Sequence, residues 1–211
     1  MRRKKYYQKD NSWTDKEVEQ HWDAVSSIYV KENNKVKYAH DQRFVETIKH
    51  LDLKAGNKIL NITSRDCEAN DYVIKSGVEV QVINAEISKG LMDVATNIRP
   101  HVQQIKIDTY SKLPFSNEEF DRIICLETLE HVSSPITFLT ELNRVSKPNA
   151  VMVLSCPPST SEIPYQVFTF LFGGHGEGPH RFLPSWEVKI LMKLSGWQLQ
   201  LHYGSVLIPA G

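Results

Sequence analysis

Between residues 58 and 155, five short apolar runs alternate with longer stretches of helical periodicity, and nothing else in the chain constrains its fold as strongly. The runs are 58–63 (KILNIT), 78–84 (VEVQVIN), 102–107 (VQQIKI), 120–126 (FDRIICL) and 150–155 (AVMVLS). Between them a helix-like stretch ends near Gly77. Ser88 then opens a helix with Leu91, Met92, Ala95 and Ile98 facing inward, and Ser134-Pro135 supplies an N-cap and a first-turn proline for the stripe Phe138, Leu139, Leu142, Val145. Parallel strands need a crossover of a dozen or more residues, which a helix fills, so this alternation predicts a parallel, doubly wound α/β sheet. The run 120–126 is apolar enough to be buried on both faces. Right-handed crossovers put any ligand at the carboxyl ends of the strands.

The flanks read differently. Thr14 and Glu17 have capping-box spacing, and Val18, Trp22, Val25 and Tyr29 fall on one helical face. A second amphipathic stretch carries Phe44, Val45, Ile48 and Leu51 and ends at the turn Lys54-Ala55-Gly56-Asn57. Residues 1–52 are therefore expected to form a helical cap over the site, and 53–211 a single domain. Ser185 opens a last helix (Ile190, Leu191, Leu194) that stops at Gly196, and 197–208 reads as two final strands. The expectation is a Rossmann-like sheet of seven strands with the last antiparallel. Residues 157–184 are too long for an ordinary connection and are expected to serve the site. Their aromatic stretch 165–172 is a candidate lid helix or membrane-surface contact, or a helix packed on the core.

Composition excludes some classes of function. Lys plus Arg and Asp plus Glu are both 25 among 211 residues, so no excess positive field collects nucleic-acid phosphates. No apolar run approaches the roughly 20 residues of a spanning helix. The basic start MRRKKYYQK leads into polar sequence without an apolar core, unlike a secretory signal. Cys67, Cys125 and Cys156 form no CxxC pair and two of them lie in strand-like runs, which suggests reduced thiols and a cytoplasmic protein.

The motifs are more specific. Leu113-Pro114-Phe115 precedes Phe120-Asp121, the fourth run continues into Leu126-Glu127-Thr128-Leu129-Glu130-His131-Val132, and Leu142-Asn143-Arg144-Val145-Ser146-Lys147-Pro148-Asn149 leads into the fifth. Together these resemble a class I S-adenosylmethionine-dependent methyltransferase of the group that includes ubiquinone-pathway O-methyltransferases, over about residues 20 to 205. The resemblance implies S-adenosylmethionine as cofactor, with contacts at Asn61, Thr63, Ser64, Arg65, Glu86, Ile87, Asp108, Thr109, Cys125 and Leu126. Chemistry supports two of these directly. Ribose hydroxyls want a carboxylate after the second strand, where Glu86 stands, and an adenine amino group wants an acceptor after the third, where Asp108 precedes Thr109. Solvated loop acids or a turn aspartate are the alternatives.

The chain departs from the family in its first loop. Where the family has D-x-G-x-G-x-G, this chain has Asn61-Ile62-Thr63-Ser64-Arg65-Asp66-Cys67, without a glycine. Side chains there obstruct a tight turn and close approach of a ligand, and Asn61 lacks a charge for the cofactor's ammonium. Thr63, Ser64 and Arg65 are candidates to grip a carboxylate or phosphate, Arg65 being otherwise a surface arginine.

Glu127-x-x-Glu130-His131 places two carboxylates and an imidazole within one turn. The stretch resembles the metal-ligating segment of small-RNA ribose methyltransferases and some ubiquinone-pathway enzymes, and His180 or His175 is the implied further ligand. Magnesium, manganese or zinc would suit such ligands. Alternatively Glu130 caps and His131 packs. His131 and Glu127 are the catalytic candidates, as activators of an oxygen acceptor. The function expected is methyl transfer to an unidentified small-molecule or polymer acceptor. A non-catalytic binding or scaffold member of the same fold is the alternative, and an oxidoreductase is disfavoured because no GxGxxG survives.

Overall fold

The computed structural model describes residues 13–35, 37–161 and 178–204. Helix α1 (Asp15–Lys35) starts at the capping box, with the Thr14 amide donating to Glu17 Oε2 at 2.6 Å and the Glu17 amide to Thr14 Oγ1 at 3.3 Å. Val18 and Trp22 on its apolar face are buried, and Val25 and Tyr29 pack against the same cluster. Helix α2 (Lys37–His50) follows, then β1 (Lys58–Ile62), α3 (Ala69–Lys75), β2 (Gln81–Glu86), α4 (Lys89–Ile98), β3 (Gln104–Lys106) and β4 (Phe120–Leu126). Helix α5 (Pro135–Val145) begins at its proline, and β5 (Ser146–Ser155), a single 3-10 turn (Ser159–Ser161) and α6 (Ser185–Leu194) complete the described elements.

All the strand pairings are parallel, in the order β3-β2-β1-β4-β5. That order reverses at β1, which puts the crevice between the ends of β1 and β4. Alternate strand residues feed opposite faces. Leu60, Ile62, Ile83 and Ile123 join the cluster that holds α5, α6 and the apolar face of α1. Ile59, Val82, Ile124 and Val153 pack with Phe44 and Ile48 of α2 and Val73 of α3. The two N-terminal helices thus serve opposite faces of the sheet.

The expected seven strands with an antiparallel last member are corrected to five parallel ones among the described residues. Residues 197–204 form no strand, although Trp197, Leu199, Leu201 and Tyr203 alternate as a strand would. Alternation yields a strand only where a neighbour supplies ladder partners and a face to bury. Here Leu199, Leu201 and Tyr203 are 45 to 57% exposed. The segment is held at its ends, where Trp197 Nε1 donates to Leu139 O at 3.0 Å and Tyr203 donates to Glu46 at 2.8 Å. The aromatic stretch 165–172, His175 and residues 205–208 lie outside the described residues.

Candidate active site

The loop after β1 sits at the switch point. Thr63, Arg65 and Cys67 have φ of 54, 53 and 62°, left-handed values at every second residue. These are the three positions at which the resembled family carries glycine. A side chain in that conformation costs about 1–2 kcal/mol per residue, and Thr63 is β-branched, which makes it rarer still. The surroundings hold the loop. The Arg65 amide donates to Glu86 Oε2 at 2.8 Å, the Ser64 amide to Ala85 O at 3.1 Å and the Cys67 amide to Ser64 O at 2.7 Å. The Thr63 and Thr128 hydroxyls bond to each other, tying the loop to the β4 turn. Cys67 is fully buried, and burial pushes its thiol up to about 12, so it is no nucleophile. Asn61 faces β2, donating to Asn84 Oδ1 at 2.8 Å. The expected obstruction to the turn is therefore absent: without glycine, the loop keeps the backbone of a glycine loop.

Side chains, however, fill the space beside it. The Arg65 guanidinium carbon lies 3.5 Å from the centre of the Trp22 ring, and Nη2 reaches Glu127 O at 3.5 Å. Glu86 is fully buried, with Oε1 accepting from the Ile87 and Ser88 amides at 2.8 and 2.9 Å and Oε2 from Arg65. The carboxylate meant for a ribose is thus engaged by three backbone amides. Ile87 and Cys125 are core residues, and Leu126 packs against α2 and α3 with Ile124. Asp108 stands 97% exposed, 3.7 Å from Lys106.

Helix α1 spans the crevice and supplies an acceptor to the two loops flanking it on the β2 side. Asp15 Oδ2 accepts from the Thr109 hydroxyl at 2.6 Å and the Tyr110 amide at 2.9 Å, at the end of β3. Asp23 Oδ1 accepts from the Ser88 hydroxyl at 2.7 Å and the Gly90 amide at 2.9 Å, at the end of β2. Gly90 permits this seat, because a Cβ there would lie 2.6 Å from Ser26 Oγ and 2.9 Å from Ser26 Cβ. Between the two aspartates Trp22 covers Arg65 and meets the His131 ring edge-on at 5.4 Å between centroids.

The β4 turn divides its own candidates. Glu127 has φ 46°, accepts from the Ser155 hydroxyl at 2.7 Å and lies 3.7 Å from Arg43 of α2. Glu130 and His131 are buried on the α1 side, with Glu130 Oε1 3.8 Å from His131 Nε2. His131 Nδ1 is 2.9 Å from Pro179 O, so Nδ1 carries the proton and Nε2 the lone pair. Burial, reinforced by the Arg65 charge, pushes its pKa down to about 3. His180 contacts His131 ring to ring at 6.3 Å and turns its own Nδ1 to Gly178 O at 2.9 Å. Among the described residues no group of three or more His, Cys, Asp or Glu side chains converges to hold a metal, which corrects the expected Glu127–Glu130–His131–His180 centre. The physical cause is the left-handed Glu127, which sends its carboxylate towards α2 while Glu130 and His131 are packed beneath α1.

A family model described as a methyltransferase domain matches residues 66–154, from the β1 loop through β5. Over these residues the chain is similar to a methyltransferase domain. The demethylmenaquinone methyltransferase of Staphylococcus saprophyticus is 26% identical over 152 residues, covering 68% of this chain and 64% of that protein. The ubiquinone biosynthesis O-methyltransferase of Histophilus somni is 28% identical over 109 residues, covering 51% of this chain and 44% of that protein. The chain spans about three-fifths of the length of the first curated relatives it matches. In fold it resembles the [4+2]-cyclase SpnF, with a TM-score of 0.69 at 16% identity over 87% of this chain and 72% of that one.

The site residues that sequence reasoning missed come from outside this matched stretch. Asp15, Trp22 and Asp23 belong to α1, and Arg181, which donates to Val132 O and stacks on Trp13 at 5.0 Å, follows β5. Trp22 was legible only as part of an apolar stripe. Nothing in the spacing of Asp15 and Asp23 announces which loops they reach.

Proposed function

We propose that this chain is an S-adenosylmethionine-dependent methyltransferase acting on an oxygen of a small-molecule acceptor, with residues 1–52 as the cap of domain 53–211. The observation that carries the reading is the left-handed backbone at Thr63, Arg65 and Cys67. Strain of this kind persists where a site requires the shape, and it costs about 1–3 kcal/mol per residue. The side chains suit the methionine half of the cofactor, because the buried Arg65 Nη1 has no hydrogen-bond partner among the described residues and a carboxylate would supply one. Asn61, Thr63, Ser64 and Arg65 would line that half, and Glu86 with Asp108 would face the nucleoside half once α1 shifts. The cofactor supplies a methyl group on a sulfonium, open to attack by a nucleophile. The protein contributes alignment and exclusion of water.

His131 donates through Nδ1 and offers a lone pair at Nε2, but with its pKa held near 3 it is a weak base. An acceptor hydroxyl must then ionise easily by itself, as a phenol-like ring hydroxyl does. The names of the two relatives, a demethylmenaquinone methyltransferase and a ubiquinone biosynthesis O-methyltransferase, support an acceptor ring of the quinone class, and the second supports oxygen. One observation favours the second reading, a non-catalytic binding member of the fold: α1 occupies the crevice and the Glu86 carboxylate is fully engaged. Calorimetric titration with S-adenosylmethionine and S-adenosylhomocysteine separates the two. Saturable binding of both is the expected result, and no heat from either at millimolar concentration would leave the non-catalytic reading.

A further inference from the structure

Arg65 is 9% exposed. No carboxylate lies within ion-pair distance of it among the described residues, and the Glu86 carboxylate beside it is taken by backbone amides, including that of Arg65 itself. The guanidinium's contacts are the Trp22 ring, at 3.5 Å, and one long hydrogen bond to Glu127 O. Nη1 is buried with no hydrogen-bond partner among the described residues. A buried, unpaired cation is costly, and it stands at a left-handed position that glycine would occupy without strain. The short distance to Trp22 requires that the guanidinium lie face-on to the ring. Its in-plane N–H groups are then free to meet an acceptor at the edge. His131 alongside stays neutral and adds no second positive charge.

We infer that Arg65 is the anchor of an oxyanion site in the β1 loop, with Trp22 as the platform that fixes its plane. A planar fork stacked on an aromatic ring suits a carboxylate or a phosphate oxygen pair. Two sources share this chemistry: the amino-acid carboxylate of a nucleoside cofactor, and free phosphate. The carboxylate source rests on the methyltransferase reading, and the phosphate source does not.

The test uses the full chain and the variants Arg65→Gly and Arg65→Lys. Arg65→Gly places glycine at a φ that favours it, so the variant is expected to fold, and its thermal midpoint checks this. In the first arm, calorimetry compares S-adenosylhomocysteine with methylthioadenosine, which lacks the carboxylate. Wild type is expected to prefer S-adenosylhomocysteine at least tenfold. Arg65→Gly should lose that preference with methylthioadenosine binding unchanged, and Arg65→Lys should keep part of it. In the second arm, inorganic phosphate at constant ionic strength is expected to raise the midpoint of wild type and not of Arg65→Gly if phosphate is the occupant. If neither nucleoside binds wild type, the methyltransferase reading fails and the phosphate arm alone decides the site. The inference is overturned if neither arm depends on Arg65, that is, if Arg65→Gly binds S-adenosylhomocysteine as tightly as wild type or more so and phosphate leaves the two midpoints equally placed.

Discussion

Glu86 looks like a ligand-binding acid and is built like a structural one, and Glu86→Gln separates the roles. The carboxylate accepts three backbone N–H bonds of 2.8, 2.9 and 2.8 Å, and the side chain is fully buried. Glutamine keeps the size but has one acceptor oxygen. Its best placement leaves that oxygen on the Ile87 and Ser88 amides and turns an NH2 towards the Arg65 amide, donor against donor. One charge-assisted bond is lost and one buried N–H is left unmet, together about 2–4 kcal/mol since both describe the same broken contact. For a chain of this length each kcal/mol moves the midpoint by roughly 2–4 °C, so the expected drop is about 4–16 °C. Thermal denaturation at pH 7 without ligand is the assay. A drop smaller than about 2 °C would refute the assignment, since relief of a buried charge would then offset everything the three amides gain. Glu86→Ala would orphan all three amides and is expected to cost more than the isosteric change. A loss of nucleoside binding in that variant would therefore report unfolding rather than a lost ribose contact.

His131 gives a pH dependence with a definite sign. Its folded pKa of about 3 lies below the ordinary value of 6.5, so the unfolded chain binds the proton first. Stability is then full above about pH 6.5 and falls as the pH drops towards 3. Urea midpoints against pH should flatten over this window in His131→Gln, and an unchanged acid limb would count against the buried neutral ring. Gly90→Ala drives a methyl group into Ser26 and should unseat α1 from α4, lowering stability by about 1–3 kcal/mol despite alanine's better helix propensity. A stabilised variant in thermal denaturation would show that α1 is not packed there as described. Because Glu127 and His131 face different helices, EDTA should leave the thermal midpoint and S-adenosylhomocysteine affinity unchanged. A loss restored by magnesium, manganese or zinc would reinstate a metal.

Much of this architecture is local, and local features are what a sequence displays. The capping box at Thr14 and Glu17, the proline opening α5 and the five apolar runs each express a preference satisfied within a few residues. The parallel sheet follows from their alternation. Which partners each loop meets was decided by tertiary structure. Thr63-Ser64-Arg65 reads as a loop that cannot turn like glycine, yet it does, because Ala85 and Glu86 of β2 and Thr128 of the β4 turn hold it there. Glu86 and Asp108 read alike, and the fold buries the first completely while leaving the second in solvent. Glu127, Glu130 and His131 share a helical spacing, but the left-handed turn at Glu127 sends them to opposite helices. The alternation of Trp197, Leu199, Leu201 and Tyr203 promised strands that pairing would have had to complete. Helix α1 across the crevice is the largest of these decisions. Its apolar stripe states that it packs, but only the sheet's carboxyl edge determines that Asp15 and Asp23 meet the loops and that Trp22 lies on Arg65.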